Sequence, residues 1–179
     1  MSKNILILSG SPRKGGNTDK LVSAFQEGAL SAGKNVTLFR TADLNIGGCL
    51  ACKHCFSNNT VCIQKDDMEA ILEVLRKADV VVFASPVYYF TVSAQLKLAI
   101  DRSYAVPSDK TTVKQGVLLL TCGDDTDEAA EGTILTYRQM LEYRKWEDAG
   151  VLCVPGLHKK DDIVGREELE HATKLGKVI

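Results

Sequence analysis

Long apolar runs, basic clusters and net charge are all scarce in this sequence. Its 179 residues carry 22 Lys and Arg against 23 Asp and Glu, which gives a formal net charge of −1. Because no patch of Lys and Arg stands out, nucleic acid is not expected as a partner. The apolar runs are only a few residues long, so neither a membrane span nor a membrane partner is expected. The first of these runs, Ile5–Leu8, is too short for a secretory signal, which favours a cytoplasmic location.

Histidine is also scarce, and its placement argues against one class of enzyme. The three histidines, His54, His158 and His171, lie in polar stretches without an adjoining nucleophile motif. A hydrolase built on a Ser/His/Asp set is therefore not expected. Hydrophobic residues make up 45% of the chain and charged residues 25%, which is typical of a globular protein. We expect one domain over residues 1–179, since this length suffices for a sizeable core.

The most informative motif is a loop rich in glycine and hydroxyl groups between an apolar strand and an amphipathic helix. The strand is Ile5–Leu8, and the loop follows it directly. Glycines let backbone N–H groups approach an anion, and the positive end of the helix dipole points to the same place. The loop is therefore typical of a phosphate site, with an ordinary strand-to-helix turn as the alternative. Its neutral side-chain donors are Ser9, Ser11, Asn17 and Thr18.

Two familiar phosphate loops do not fit this motif. Gly10 and Gly15 have the spacing of a Walker A loop, but the Lys and the hydroxyl residue that it requires are replaced. Gly16 and Asn17 occupy those positions. The dinucleotide pattern G-x-G-x-x-G is missing too, because no glycine lies between Gly10 and Gly15. What remains suits a single terminal phosphate, such as that of FMN.

Apolar segments with β character alternate with helical patterns along the chain. In residues 67–78, four apolar side chains recur at i, i+3, i+4 and i+7, which indicates one buried helix face. Alternating strands and helices predict an α/β fold with a parallel sheet, because each crossover carries a helix over a sheet face. The strands read as continuous apolar runs, which is typical of strands buried on both faces. Strands are expected at Ile5–Leu8, Val36–Phe39, Val80–Ala84, Val117–Thr121 and Val151–Val154, and further helices around Leu21–Ala29, Leu96–Ile100, Ile134–Trp146 and after Leu169.

Three loops are expected together at one edge of this sheet, because ligands of such folds bind outside the carboxyl ends of the strands. The first is the phosphate loop. The second, Ser85–Ser93, contains Tyr and Phe side chains that offer flat surfaces for a flavin or nicotinamide ring. Covering the core or a subunit interface is the alternative for these aromatics. The third, Thr121–Asp125, is a small polar turn suited to hydrogen bonds with the edge of a heterocycle.

Four segments, in this order, resemble a known family. They are G-S-P-R-K-G-G-N-T, S-P-V-Y-Y, S-A-Q-L-K-L-A-I-D-R and the closing G-V-L-C-V-P-G-L. Together they resemble the NADPH-dependent FMN reductases and iron–sulfur flavoproteins of the flavodoxin-like fold. The resemblance implies a three-layer sandwich with a five-stranded parallel sheet of order 2-1-3-4-5 and helices on both faces. It also implies bound FMN, with NAD(P)H as the co-substrate.

The same resemblance implies which residues bind FMN. Those expected at the phosphate are Ser9, Ser11, Asn17 and Thr18. Arg13 and Lys14 would screen the phosphate charge or guide NADPH, with simple solvated loop charges as the alternative. Those expected beside the ribityl chain and the ring are Pro86, Val87, Tyr88, Tyr89 and Phe90, and those near the pyrimidine edge are Thr121, Gly123 and Asp124.

The one long connection, residues 41–66, contains a cysteine motif, C-x2-C-x2-C-x6-C, formed by Cys49, Cys52, Cys55 and Cys62. Such tight spacing presents several thiolates to a compact cluster, whereas structural zinc sites join two separated pairs. The spacing is similar to the motif by which iron–sulfur flavoproteins hold a [4Fe–4S] cluster. It departs from the ferredoxin run in its six residues before the last Cys and in having no Pro after it. Free or redox-active thiols, and zinc, are the alternatives.

The remaining two cysteines, Cys122 and Cys153, fall at strand ends, where buried and inert thiols are expected.

These features favour an FMN-dependent oxidoreductase that takes hydride from NAD(P)H and passes electrons to a quinone, flavin or other small acceptor. An electron carrier with FMN and a [4Fe–4S] cluster on the four cysteines is the main alternative. The nearly neutral charge favours the enzyme, since carriers use strong charge to dock, while the cysteine motif favours the carrier. A redox-sensing module that responds through its thiols is a third alternative. Besides a small acceptor or redox protein, the resemblance implies a homodimer or homotetramer.

Overall fold

The computed structural model describes residues 2–179 and contains one parallel sheet with a short antiparallel addition. Its strands are β1 (Asn4–Ser9), β2 (Asn35–Arg40), β3 (Val80–Tyr88), β4 (Thr91–Val92), β5 (Gln115–Thr121) and β6 (Glu147–Val154). The five long strands lie in the order β2-β1-β3-β5-β6. This is the predicted flavodoxin-like order. The two-residue β4, which pairs antiparallel with the end of β3, was not predicted.

The helices are α1 (Asn17–Ser31), α2 (His54–Ser57), α3 (Met68–Lys77), α4 (Ala94–Arg102), α5 (Glu131–Arg144) and α6 (Glu167–Val178). Five of the helices occupy the predicted segments, while the four-residue α2 lies in the connection 41–66, where no helix was predicted. Helix α5 ends earlier than predicted, because its C-cap Lys145 is left-handed and Trp146 lies beyond the helix. Within residues 2–179, the helices include none that is both long enough and apolar enough to span a membrane.

Side-chain alternation along the strands divides the core into two layers. Leu6 and Leu8 of β1 belong to the layer covered by α3, α4 and α5. Ile5 and Ile7 belong to the layer covered by α1 and α6. Helices therefore cover both faces of the sheet, and the predicted three-layer sandwich is confirmed.

The expectation that every strand is buried on both faces holds only for the inner strands. Residues 5–9 of β1 and 116–121 of β5 are buried throughout. The outer strands β2 and β6 are half-buried instead, and Leu38 of β2 is 38% exposed. An apolar run alone does not distinguish an inner strand from an edge strand, because both contain the same β-forming residues.

Helices α1 and α6 pack with their backbones in direct contact at two glycines. A Cβ atom on Gly28 would collide with the carbonyl oxygen of Thr173, and one on Gly176 would collide with that of Phe25. Both obstacles are backbone atoms, which cannot rotate away as a side chain can. Because α1 carries the predicted phosphate loop at its start, this contact helps to set the position of the loop over the sheet.

Replacing Gly176 by Ala is expected to destabilise the fold by about 2 kcal/mol, because the added methyl group forces the two helices apart. This loss exceeds the gain from the better helix propensity of alanine, which is about 1 kcal/mol. The free energy of unfolding, measured with urea, checks this. Gly48→Ala is the control, since the nearest atom to its Cβ would be 3.9 Å away, in Leu98. Equal stability of Gly176→Ala and the wild type would contradict the close helix contact.

Candidate functional site

A cavity lies at the carboxyl edge of the sheet, where the loops after β1, β3 and β5 meet. Its volume is about 310 Å³, at the lower end of the range for small-molecule sites. The residues that line it are Ser11, Arg13, Asn17, Thr18, Pro86, Val87, Tyr88, Thr121, Cys122, Gly123, Leu157 and His158. All of these except Cys122, Leu157 and His158 are candidates from the sequence. The structure thus brings the three predicted loops together.

Two glycines shape the loop after β1. A side chain on Gly10 would collide with Ser93 and Leu96 at the start of α4. Gly15 has a φ of +63°, a conformation that favours glycine. Helix α1 begins directly afterwards, with Gly16 as an N-cap that provides no side-chain hydrogen bond. Backbone N–H groups at the start of α1 are therefore available to an acceptor outside the helix.

Two buried hydroxyl residues lie beneath this loop. The Thr18 Oγ1 atom lies 2.7 Å from the Thr121 Oγ1 atom, so a hydrogen bond connects the first turn of α1 to the end of β5. Ser9 is only 1% exposed, and its Oγ has no hydrogen-bond partner among residues 2–179. Ser9 does not line the cavity, but an unmet buried hydroxyl is unfavourable and keeps it a candidate donor.

Asn17 connects the loop to the segment that follows β6. Its Nδ2 donates to the carbonyl oxygen of Lys159 at 2.8 Å, and its Oδ1 accepts from the N–H of Ile163 at 3.5 Å. The same segment contributes Leu157 and His158 to the cavity wall. The sequence assigns neither residue to the site. The only sequence feature that pointed to this part of the chain is the family segment G-V-L-C-V-P-G-L, which ends at Leu157.

Cys122 is the third lining residue that was not predicted. It is buried, and its Sγ accepts from the N–H of Asp124 at 3.4 Å. Cys153 lies on the neighbouring strand, where burial, with smaller contributions from Cys122 and Asp127, raises the pKa of its thiol to about 12. Cys153 thus stays protonated near neutral pH, although it is half-buried rather than buried. Cys122 differs from the expectation in that it lies on a cavity wall.

The charged residues of the phosphate loop have different surroundings. Arg13 lines the cavity. Lys14 lies 3.3 Å from Asp43 in a salt bridge. Asp43 also accepts from Arg40 at 3.1 Å, and Arg40 pairs with Asp19 in the first turn of α1. The hydrogen bond from Arg40 holds the pKa of Asp43 below its usual range. Arg13 is therefore the loop cation that faces the cavity.

Besides Lys14, four sequence candidates do not line the cavity: Ser9, Tyr89, Phe90 and Asp124. Tyr89 is 97% exposed and Phe90 is 67% exposed. Both have positive φ values, 47° and 63°, in the tight turn between β3 and β4. Asp124 is exposed, and its carbonyl oxygen accepts from the N–H of Gly156 at 2.6 Å. The β3–β4 turn thus leads the two aromatic residues away from the cavity.

The segment 41–66 forms a second cavity of about 290 Å³ against the end of α4, here called the cysteine cavity. All four cysteines of the motif line it as free thiols. Cys49 and Cys52 are exposed, while Cys55 and Cys62 are half-buried. Burial, with smaller effects of Cys62 and Cys49, raises the pKa of Cys55. Within residues 2–179, no three His, Cys, Asp or Glu side chains are grouped as ligands of one metal ion.

The backbone around the cysteine cavity has an unusual conformation. Cys52 lies between Ala51 and Lys53, whose φ values are 52° and 57°. Asn59 and Thr60, just before Cys62, are also left-handed. None of these four is glycine, and each such residue costs roughly 1–3 kcal/mol. Strain of this kind is concentrated at functional sites, which singles out the cysteine segment.

A buried ion pair connects the two ends of the cysteine segment. The Nη1 and Nη2 atoms of Arg102 lie 2.7 and 3.0 Å from the Asp66 carboxylate oxygens. Arg102 also donates to the carbonyl oxygen of Gly47 at 2.9 Å, and Asp66 accepts from the N–H of Gly47 at 2.9 Å. Burial alone would raise the pKa of Asp66, but the hydrogen bonds of Arg102 and Gly47 hold it below its usual range. Asp66 is therefore ionised near neutral pH.

Two curated groups of proteins are similar to this chain in sequence. The family described as NADPH-dependent FMN reductase matches residues 3–145. An iron–sulfur flavoprotein of Archaeoglobus fulgidus is 31% identical over 173 residues, which cover 95% of this chain and 76% of that protein. An iron–sulfur flavoprotein of Methanosarcina thermophila is 34% identical over 128 residues, covering 71% of this chain and 66% of that protein.

The fold is also similar to solved structures. The NAD(P)H:quinone oxidoreductase from Methanothermobacter marburgensis superposes with a TM-score of 0.76, covering 99% of this chain and 96% of that chain. Its sequence identity of 21% is low, so this likeness shows a shared fold. The family match spans the loops after β1, β3 and β5 and the cysteine segment, and it ends before Leu157 and His158.

Proposed function

The chain belongs to the NADPH-dependent FMN reductase family of oxidoreductases, and we propose that it binds FMN in the cavity at the carboxyl edge of the sheet. It takes hydride from NAD(P)H and passes electrons to a quinone, a flavin or another small acceptor. The observation that carries this proposal is the composition of that cavity. One end combines an uncapped helix start with hydroxyl and amide groups, and the other end is a wall of Pro86, Val87 and Tyr88.

The first end of the cavity suits a phosphate dianion. Ser11, Asn17 and Thr18 contribute neutral polar groups, and the start of α1 contributes free N–H groups and the positive end of its dipole. Arg13 adds one positive charge. The side chain of Asn17 is already bonded to Lys159, in the segment after β6 that also contributes Leu157 and His158 to the cavity wall.

The second end suits a flat heterocycle. Pro86 and Val87 provide an apolar surface, and Tyr88, which is 42% exposed, lies at the rim. Thr121, which is the register partner of Pro86, and Gly123 also line this end and offer polar groups to a ring edge. Residues on these walls would hold the ring with one face open to NAD(P)H and then to the acceptor.

FMN itself, when bound, supplies the redox chemistry by accepting hydride at N5 and releasing electrons singly or in pairs. The chain therefore needs no acid or base of its own. Its residues bind the phosphate, orient the ring and exclude water from the buried side. His158, which lies 3.0 Å from Asp125, lines the cavity and is exposed.

A homo-oligomer is part of the proposal. Tyr89 and Phe90 leave a large exposed aromatic surface beside the cavity, and strand β2 leaves a half-buried edge. Exposed aromatic groups of this size are typical of interfaces.

A second candidate function is an iron–sulfur flavoprotein carrier with a [4Fe–4S] cluster on Cys49, Cys52, Cys55 and Cys62. The observation that favours it is that one cavity, lined mostly by apolar groups, is shared by all four thiols. A four-iron cluster is wider than one ion, so its thiolates stand farther apart than the ligands of a mononuclear site. When bound, such a cluster transfers single electrons. A zinc ion bound by the cysteines, or four free thiols without a metal, are the alternatives to the cluster.

Thr18→Val and Asn17→Leu are each expected to weaken FMN binding by about tenfold to a hundredfold, because each removes a polar group from the proposed phosphate end. Quenching of FMN fluorescence on titration with the apoprotein measures the affinity. Thr136→Val is the matched control, since its hydroxyl is exposed and bonds only within α5. Wild-type affinity in both site variants would place the phosphate elsewhere.

Hydride transfer is tested by mixing the FMN-loaded chain with NADPH or NADH without oxygen. The flavin absorbance is expected to bleach at roughly 1 per second or faster, which is typical of an enzyme step, and to return when a quinone is added. Free FMN with the same nucleotide is the control for uncatalysed reduction. A flavin that neither nucleotide bleaches, but that a reduced partner protein does, would favour the carrier over the enzyme.

Cys55→Ala is expected to remove iron from the anaerobically prepared chain and to leave FMN binding unchanged, because the two cavities are separate. Iron, sulfide and flavin per chain are the measurements. Cys153→Ala is the control, since this thiol lies outside the cysteine cavity. Retention of iron by Cys55→Ala, or a wild-type chain that binds zinc in preference to iron, would argue against the cluster.

A further inference from the structure

Arg102 is the buried cation of the cysteine cavity. It lies in the last turn of α4, its side chain is 1% exposed, and it forms part of the cavity wall. Its two terminal nitrogens are occupied by Asp66, and Nη1 also donates to the carbonyl oxygen of Gly47. Asp66 is not part of the wall. The guanidinium therefore separates this carboxylate from the thiols.

One N–H group of this guanidinium donates no hydrogen bond. Arg102 Nε is buried and has no hydrogen-bond partner among residues 2–179. Leaving a charged donor unbonded in the interior is unfavourable, so such a group points to a partner that occupies the neighbouring space. That neighbouring space is the cysteine cavity, since Arg102 lines it.

Arg102 and Cys62 line the same cavity, and Cys62 is the cysteine whose thiol interacts with this guanidinium. Burial alone would lower the pKa of Arg102, but the hydrogen bonds of Asp66 and the charge of Cys62 raise it. Cys62 is also the cysteine that stands apart in the motif, because six residues separate it from Cys55. A hydrogen bond from Arg102 to the Cys62 thiolate therefore fits the lining of this cavity.

We propose that Arg102 is a positioning residue of the cysteine cavity, which donates its Nε–H to the Cys62 thiolate and thereby raises the reduction potential of a cluster held there. The inference rests on the iron–sulfur candidate function. Reduction adds one electron, and hence one negative charge, to the cluster and its ligands. A buried cation and a hydrogen bond to a ligand sulfur both favour that more negative state.

A purely structural role for Arg102 makes a different prediction, and the chain offers a matched control for it. Arg76 also holds the cysteine segment, through a 2.9 Å hydrogen bond to the carbonyl oxygen of Thr60. Arg76 does not line the cysteine cavity. Loosening the segment through Arg76→Gln therefore leaves the Nε–H of Arg102 in place.

The experiment compares wild type, Arg102→Gln and Arg76→Gln after anaerobic reconstitution with iron and sulfide, at equal iron per chain. Each is titrated with a chemical reductant at set potentials, and the reduced fraction is read from the electron paramagnetic resonance signal. At a fixed potential the ratio of reduced to oxidised cluster is expected to fall at least tenfold in Arg102→Gln, which equals 59 mV for one electron. Arg76→Gln is expected to match the wild type.

Arg102→Gln leaves Asp66 buried and unpaired, and this variant can fail to fold. The double variant Arg102→Gln/Asp66→Asn removes that carboxylate as well and is expected to show a lowered potential too, because the Nε donor is absent from it. A wild-type potential in either folded variant would overturn the inference and leave the cluster proposal standing. Equal shifts in Arg102→Gln and Arg76→Gln would also overturn it. A wild-type chain that takes up no iron would overturn the cluster proposal, and this inference with it.

Discussion

Parallel pairing of three strands is the constraint on which the rest of the structure depends. β3 pairs with β1 so that Ala84 lies beside Ser9, and with β5 so that Pro86 lies beside Thr121. Three chain segments that are far apart in sequence consequently end at one edge of the sheet. The loops that follow must then share the same space, and their side chains enclose the candidate cofactor cavity. Without this register the glycine-rich loop would be a turn with no opposite wall.

A second constraint is the ion pair of Arg102 and Asp66, which organises the part of the chain that the sheet does not reach. Residues 41–66 contain little regular structure, and several of their residues are left-handed. Such a segment needs contacts from outside to keep one conformation, and the pair provides them at both ends, at Gly47 and at Asp66 itself. Breaking a buried pair of this kind usually costs about 3–5 kcal/mol, because one charge stays behind unpaired. The cysteine cavity depends on that pair.

The pattern of strands and helices was predictable because it is local. Met68, Ile71 and Leu72 mark a helix face by their spacing alone, and Ile5–Leu8 marks a strand by its apolar run. Most of the cavity lining was predictable for the same reason, since the sheet edge is known once the strands are known. The exceptions are informative. Leu157 ends the closing family segment and His158 follows it, but neither residue type indicates a ligand contact by itself. Tyr89 and Phe90 lie in a turn whose direction depends on the two-residue strand β4.

The sequence by itself determined that this is a parallel α/β fold with a glycine- and hydroxyl-rich loop after β1 and four closely spaced cysteines. These are properties of neighbouring residues, and neighbours interact whatever the rest of the chain does. Only the tertiary structure decided which groups face each cavity. The contact of Asn17 with Lys159 spans more than a hundred residues, and Arg102 reaches Asp66, in the connection before α3, from helix α4. Such contacts arise from packing and register, and no local pattern records them.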